Sequence, residues 1–329
     1  MMRKQRELSY ASVFIFLLVP AVLVLSGCAG AKVDPASAKL APELPIADLH
    51  LHPDSDLSPS QIKDAMDANG VRWAGAGAKR GDRSTWMTVA GELGDRFIAF
   101  AGQVELNRAY FDGGVAGTED VNNAAVQNLL QTAEEDLKAG RIKGIGEIFV
   151  NNSRSHPNPS FQRKFRADAP SMRALYQLVA KYGGFLTFHM ESDADSVGQL
   201  ERLLESSRTG RILLNHCGVG ASAAQVRSLL ERHPNLFCEL SLRYPPVLHG
   251  RLIERFPNAQ IFSGGGPDGG WLQLIEDFPD RFMIGTDANS RSEYDGAIKA
   301  VRKGLLPYLS PPTARKVAYE NAQRLFGLK

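Results

Sequence analysis

Eight apolar runs recur along the chain, and polar segments separate them. Each run is short and ends at a polar or small residue, which is the pattern of a strand buried on both faces. The runs span residues 44–52, 70–77, 97–105, 142–150, 184–190, 211–217, 236–242 and 281–288. The pattern therefore predicts eight strands.

The segments between these runs place apolar residues at helical spacing, and serine or asparagine stands near several of their starts. They include residues 58–69, 121–139, 171–182, 196–206 and 221–233. Strands that alternate with helices favour a parallel sheet, and eight such units form a closed barrel. We therefore predict a single α/β domain, a (β/α)8 TIM barrel, over residues 44–329.

The main alternative is an open, doubly wound parallel sheet. A sheet of that kind normally carries a glycine-rich phosphate loop after its first strand. No such loop follows His52. The pattern therefore favours the barrel.

Residues that can bind a metal stand at the ends of these runs. Asp48, His50 and His52 are spaced two apart on the first run, so their side chains share one face of a strand. The ends of later runs carry Glu147, His189, His216 and Asp287. Because the carboxyl ends of barrel strands meet at the catalytic face, we expect these residues to converge.

This set of side chains predicts a divalent cation. Imidazole nitrogen and carboxylate oxygen are favoured ligands of zinc, with Mn²⁺ and Fe²⁺ as alternatives. A cation with an open coordination position lowers the pKa of a bound water to about 7 and supplies hydroxide at neutral pH.

Five motifs resemble the amidohydrolase superfamily of metal-dependent (β/α)8-barrel enzymes, and most closely its amidohydrolase-related branch. They are DLHLH at 48–52, FHM at 188–190, LNHCG at 214–218, GTDA at 285–288 and NAQRLFGL at 321–328. The resemblance runs from about Pro45 to the end of the chain. It implies metal-ligand or near-ligand roles for five residues, namely His50, His52, His189, His216 and Asp287. It also implies that Asp287 accepts the proton of the metal-bound water and passes it to a leaving group.

The fourth strand departs from the commonest form of this superfamily. Many members carry a carboxylated lysine there, which bridges two metals, but Lys143 stands well before the end of the strand. Gly146-Glu147-Ile148 instead resembles the fourth-strand glutamate of TatD-type hydrolases. Glu147 is therefore either a bridging or second-metal ligand, or a carboxylate beside a single metal, and the sequence leaves both interpretations open.

The N-terminal segment predicts a signal peptide over residues 1–27. Basic residues precede an apolar stretch, residues 13–25, that is short for a membrane-spanning helix. Leu25-Ser26-Gly27-Cys28 resembles the lipobox of bacterial lipoproteins, which implies a lipid on Cys28 and anchoring in the cell envelope, with the periplasmic side of the outer membrane preferred. The alternative is an ordinary signal peptide. The composition of residues 28–43 predicts a flexible tether.

Charge and cysteine content narrow the partners of the mature chain. Removal of residues 1–27 takes three of 38 basic residues and one of 36 acidic residues, which leaves 35 of each. This balance argues against a nucleic-acid partner.

Cys217 and Cys238 stand in apolar surroundings, which predict small buried residues. The sequence leaves open whether a disulfide joins them.

Substrate contacts are predicted from the loops. Residues 151–169 form a long basic loop after the fourth strand, which either is solvated or approaches an anionic group. Arg243 and Tyr244 follow the seventh strand, where an arginine can pair with a carboxylate or phosphate. Glu191 shares a strand face with His189. These three residues are candidates for contact with a small-molecule substrate.

Several functions agree with these features. The leading hypothesis is hydrolysis of an amide, lactone or ester bond by metal-activated water. The superfamily branch also implies a second, decarboxylation of an aromatic or unsaturated acid, which a carboxylate-binding Arg243 would favour. Phosphodiester hydrolysis is a weaker enzymatic option, motivated by Glu147. A non-enzymatic metal-binding lipoprotein is the last, and Asp287 argues against it because a binder needs no proton acceptor.

Overall fold

Eight parallel strands form a nearly closed barrel in the computed structural model, which describes residues 31–52, 56–76, 82–243, 254–257, 260–263 and 266–329. The barrel strands are β1 (Ile46–Asp48), β2 (Val71–Ala76), β3 (Phe97–Ala101), β4 (Gly144–Asn151), β5 (Phe185–Met190), β6 (Arg211–Leu214), β7 (Leu236–Glu239) and β10 (Phe282–Met283). Their order in the sheet follows the chain. Parallel bridges from Asp48 to Ile284 and from Leu51 to Ala288 join its two ends. The predicted (β/α)8 barrel is confirmed.

Helices follow the strands along the chain. They span Pro35–Leu40, Pro59–Asn69, Arg83–Leu93, Gln103–Glu119, Ala124–Lys138, Pro170–Lys181, Ala194–Ser206, Ala223–Arg232, Gly269–Asp277, Arg291–Ala300, Pro311–Arg315 and Asn321–Phe326. Ser58 and Ser222 each form a capping box with the glutamine three residues later, as expected from serine near a helix start. A short antiparallel hairpin, β8 (Phe262–Ser263) with β9 (Gly266–Pro267), precedes the helix at Gly269.

The third predicted strand is shorter than expected. Residues 97–105 were predicted as one strand, but β3 ends at Ala101 and Gln103 begins a helix. Gly102 lies between them with φ 103°. This left-handed conformation, which favours glycine, turns the chain out of the sheet.

An apolar cluster fills the barrel below the carboxyl ends of its strands. It contains Phe100, Phe185, Leu213, Phe237 and Met283, and Phe326 of the last helix packs against its aromatic rings. Alternate residues of a strand share one face, so the strand that contributes Phe185 also presents His189 four residues later. The polar residues of the site therefore stand directly above an apolar core.

The expected flexible tether is folded in its second half. Asp34 caps the helix Pro35–Leu40 through its carboxylate, Pro35 occupies the first turn and Ser37 is buried. The Asp34 amide donates to Pro307 O at 2.8 Å. The predicted signal peptide and Cys28 lie outside the described residues, and no described helix is both long and apolar enough to cross a bilayer. Cys217 and Cys238 are buried free thiols.

Arg302 fixes this N-terminal segment to the barrel. Its Nη1 donates to the carbonyls of Ala41, Pro42 and Leu44 at 2.7, 3.0 and 2.9 Å. Its Nη2 donates to Asn69 O at 2.9 Å. One guanidinium thus satisfies carbonyls from two separate segments and joins residues 41–44 to the barrel.

Arg302→Met should lower the free energy of unfolding by about 1–3 kcal/mol, because several carbonyls lose their donor. Lys299→Met, on the exposed side of the preceding helix, should change it by less than about 0.5 kcal/mol. Urea unfolding followed by circular dichroism measures both. Equal stability of the two variants would show that the guanidinium does not fix this segment.

Candidate metal centre

Six predicted ligands meet at the carboxyl end of the barrel. They are His50 and His52 after β1, Glu147 on β4, His189 on β5, His216 after β6 and Asp287 after β10. The exposed fraction of their side chains does not exceed 14%. The residues fall into two neighbouring groups.

The first group consists of His50, His52 and Asp287. Asp287 Oδ1 lies 2.8 Å from His52 Nε2 and 3.4 Å from His50 Nε2. Asp287 has a φ of 52°, and its amide donates to His50 O at 2.7 Å. The left-handed backbone and this hydrogen bond bring the carboxylate to the two rings.

The second group consists of His189, His216 and Glu147. Glu147 Oε1 lies 3.0 Å from His189 Nδ1 and 3.4 Å from His216 Nε2. The two ring nitrogens are 3.1 Å apart. His216 has a φ of 57°, so it turns its ring toward the barrel axis from just beyond the end of β6.

Glu147 spans the two groups with its two oxygens. While Oε1 faces His189 and His216, Oε2 lies 3.3 Å from His50 Nε2 and 3.7 Å from His52 Nε2. The side chain is 2% exposed. The carboxylate thus places one oxygen beside each group.

Glu239 supports the cluster from behind and was not predicted from the sequence. Its Oε2 lies 2.7 Å from His50 Nδ1 and accepts from the Ser241 hydroxyl at 2.9 Å. Ser241 Oγ lies 2.7 Å from His216 Nδ1. Glu239 lies in the middle of the predicted run 236–242 but is the last residue of β7, so the strand-end rule selects it only once the end of the strand is known.

The contacts of Glu239 and Ser241 indicate which ring nitrogen carries the proton in His50 and in His216. If Glu239 and Ser241 accept from the Nδ1–H groups of His50 and His216, each ring keeps a lone pair on Nε2. Both Nε2 atoms face the interior of the cluster, and that of His50 is buried and makes no hydrogen bond. Acceptors that converge in this way lack a donor.

Asp48 holds the backbone that carries the first ligand. Its carboxylate accepts from the His50 amide at 3.1 Å and from the Thr286 amide and hydroxyl at 2.9 and 2.8 Å. Burial raises the pKa of Asp48 to about 6, although the hydrogen bonds from Thr286 oppose the shift. Asp48 thus ties β1 to the loop that presents Asp287.

The electrostatics of the cluster favour positive charge. Burial opposes protonation of His50, but the carboxylates of Glu147, Asp287 and Glu239 outweigh it and raise the pKa of His50 well above its usual value. Burial likewise opposes ionisation of Glu147, but the neighbouring rings of His50, His189 and His216 hold its pKa well below the usual range. The Glu239 pKa is lowered for a similar reason, chiefly by His50 against burial.

The donor set therefore fits a divalent cation. Imidazole nitrogens and carboxylate oxygens are suitable for Zn²⁺, Mn²⁺ or Fe²⁺. The cluster supplies converging acceptors, carboxylates that stay ionised and a buried ring nitrogen without a hydrogen bond. A cation would satisfy all three features.

Arg243, a predicted substrate contact, is hydrogen-bonded to the main chain. Arg243 is buried, and its guanidinium donates to the carbonyls of His216, Ala221 and Gly218 at 2.5, 3.0 and 2.6 Å and stacks on Trp271. It thus supports the backbone of the β6 loop. Tyr244 lies outside the described residues.

The basic residues of the loop 151–169 are largely paired. Lys164 contacts Asp193 at 3.0 Å and Arg166 contacts Glu119 at 2.9 Å. Arg163 donates to Asn107 Oδ1 at 2.6 Å. These contacts agree with the interpretation of a solvated loop rather than an anion-binding one.

Comparisons with known proteins bear on the family and the fold of the chain. A family model described as Amidohydrolase matches residues 47–328, whereas no curated protein matches. The chain is similar to a zinc-bound amidohydrolase structure from Burkholderia multivorans, with 14% identity, a TM-score of 0.55 and coverage of 87% of this chain and 100% of that chain. It is also similar to a probable 2-pyrone-4,6-dicarboxylic acid hydrolase from Acinetobacter baumannii with bound citric acid, with 14% identity, a TM-score of 0.55 and coverage of 86% and 99%.

A third similar structure is the L-hydantoinase from Arthrobacter aurescens, with 13% identity and a TM-score of 0.54. The match covers 86% of this chain and 71% of that chain. At such low identities these likenesses support the barrel fold.

Gly285→Ala should weaken metal binding. A methyl group at this position would overlap Glu239 Oε1 and lie 2.7 Å from His50 Cβ, so Glu239 could no longer hold His50. We expect metal affinity to fall about 10–100-fold, the usual effect of losing such an outer partner. Titration of metal-free protein with Zn²⁺ measures it.

Gly91→Ala is the matched control. Gly91 lies in an exposed helix with open space around its Cα, so the added methyl should leave metal affinity unchanged and raise stability by about 0.5–1 kcal/mol. Wild-type affinity in Gly285→Ala would contradict the role of Glu239.

Proposed function

The chain belongs to the amidohydrolase family, and we propose that it is a metal-dependent hydrolase of an amide, lactone or ester bond. The observation that carries the proposal is the position of Asp287. Its carboxylate contacts His52 and lies near His50, yet it is the most exposed member of the cluster, at 14%. An acid in this position reaches both the predicted ligands and an incoming substrate.

Different residues of the cluster would bind the cations, transfer the proton and orient the histidine rings. His50, His52 and Asp287 would hold one cation, and His189, His216 and Glu147 a second. Bound there, a divalent cation supplies a water of pKa about 7 and polarises a substrate carbonyl. Asp287 accepts the proton of the attacking water on its carboxylate and delivers it to the leaving group. Glu239 and Ser241 keep the rings of His50 and His216 in the orientation that binding requires.

Decarboxylation is the principal alternative. The sequence motivated it by an Arg243 that binds a substrate carboxylate, but the described hydrogen bonds of that guanidinium go to main-chain carbonyls. This placement favours hydrolysis as the first function to test.

The test combines metal loading with two assays. Protein freed of metal and reloaded with Zn²⁺ or Mn²⁺ is given a panel of amides, lactones and esters, and separately a panel of aromatic acids. We expect metal-dependent hydrolysis in the first panel. Carbon dioxide release in the second panel alone would instead assign a decarboxylase.

Asp287→Asn should reduce turnover by about 10²–10⁴-fold, because the amide cannot accept a proton. Asparagine tolerates the left-handed backbone at this position, so the variant isolates the loss of charge. Asp280→Asn, at an exposed ion pair with Lys316, is the control and should keep wild-type rates. Normal turnover in Asp287→Asn, on any substrate that the wild type hydrolyses, would remove Asp287 from the mechanism.

We also propose that the chain is anchored in the bacterial cell envelope through a lipid on Cys28. The basis is the resemblance of residues 25–28 to a lipobox. Cys28→Ala should move the protein from the membrane fraction to the soluble fraction, measured by fractionation and immunoblotting. Continued sedimentation with membranes would contradict the anchor.

A further inference from the structure

Glu191, which the sequence suggested as a substrate contact, has its carboxylate hydrogen-bonded to groups of the same chain. Its Oε1 accepts from the amides of Arg154 and Ser155, both at 2.6 Å. Its Oε2 lies 3.4 Å from the Ser153 hydroxyl. The residue is 3% exposed. A buried carboxylate with both oxygens bonded to one turn is suited to holding that turn in place.

The backbone of Glu191 is itself firmly placed. It directly follows β5, its amide donates to Asn151 O at 2.9 Å, and it forms a parallel bridge with Val219. The carboxylate therefore has a fixed origin at the catalytic face of the barrel, between the strand ends of β4 and β6.

The turn that Glu191 holds reaches a predicted metal ligand. Ser155 Oγ lies 3.1 Å from His189 Nε2, and the opposite ring nitrogen, Nδ1, lies 3.0 Å from Glu147 Oε1. If Nε2–H donates to the hydroxyl, the lone pair of Nδ1 faces the cluster. Ser155 thus contacts the outer ring nitrogen of His189, just as Ser241 contacts the outer ring nitrogen of His216.

The far side of the same loop is also clamped. Arg163 is 5% exposed, donates to Asn107 Oδ1 at 2.6 Å and lies over the ring of Tyr110 at 4.8 Å. The Asn152 side-chain oxygen accepts from the Arg163 amide at 2.7 Å. With Glu191 at one side and Arg163 at the other, the loop has one well-defined position from which Ser155 meets His189.

We propose that Glu191 and Ser155 are a positioning pair for His189. The Glu191 carboxylate fixes the Arg154–Ser155 turn, and the Ser155 hydroxyl then fixes the imidazole with Nδ1 toward Glu147. The loop after β4 is thereby a structural part of the metal centre. The inference rests on the proposed metal-dependent function and adds two residues that act through His189 and touch no substrate.

The primary test is metal titration of Ser155→Ala. Metal-free protein is titrated with Co²⁺ under calorimetry and visible absorption, so the readout is independent of turnover. We expect the affinity for the ion bound by His189 to fall about 10–100-fold and its cobalt absorption band to shift. Ser155→Thr, which keeps a hydroxyl, should restore both.

Ser160→Ala is the matched control, since Ser160 is an exposed serine of the same loop. It should bind Co²⁺ as the wild type does. If the substitutions only disturbed the loop, Ser155→Ala and Ser155→Thr would lose similar Co²⁺ affinity. Melting temperatures show whether each variant is folded.

Glu191→Gln and the double variant test the order of action. Glutamine keeps the shape of the side chain but weakens its bonds to the two amides, so we expect a smaller loss of affinity than in Ser155→Ala. Because Glu191 acts through Ser155, the double variant should match Ser155→Ala rather than show the sum of both losses. Additive losses would overturn this linkage.

The failures of the two proposals are distinguishable. Wild-type protein that binds Co²⁺ together with a Ser155→Ala variant of equal affinity and unchanged spectrum would overturn the positioning pair alone. Wild-type protein that binds no Co²⁺ or Zn²⁺ would overturn the metal-dependent function and this inference with it.

Discussion

The structure depends on a buried convergence of hydrogen-bond acceptors. Glu147 directs one oxygen toward His50 and His52 and the other toward His189 and His216, in a setting almost closed to water. Burying an ionised carboxylate costs several kcal/mol unless opposite charge compensates it. With their Nδ1–H groups donated outward, His50 and His216 turn ring acceptors toward Glu147, and divalent cations bound at the cluster would supply the missing charge.

Three sets of contacts in the surrounding fold hold the predicted ligands in place. The apolar cluster in the barrel, which includes Phe185 and Phe237, supports the strand ends and keeps the dielectric constant low. Polar residues behind the ligands, Glu239 and Asp48, fix ring orientation and backbone. The loop after β4 then adds Ser155 from the solvent side. Each of these contacts restricts the positions that the predicted ligands can take.

The sequence predicts the barrel and the inner ligands because both follow from periodic rules. Alternation selects the strand face, and strand ends select His50, Glu147, His189 and Asp287. The contacts of Arg243 and Glu191 could not be predicted for a physical reason: whether either side chain meets a substrate or a main-chain group depends on loop conformation. Loop conformation is set by contacts between residues distant in sequence, which have no period.

The most direct test of this account is anomalous diffraction at the zinc edge from crystals of the metal-loaded protein. The account predicts two peaks, one beside His50, His52 and Asp287 and one beside His189, His216 and Glu147. A single peak would contradict the assignment of two cations. The absence of any peak at the cluster would contradict the metal centre itself.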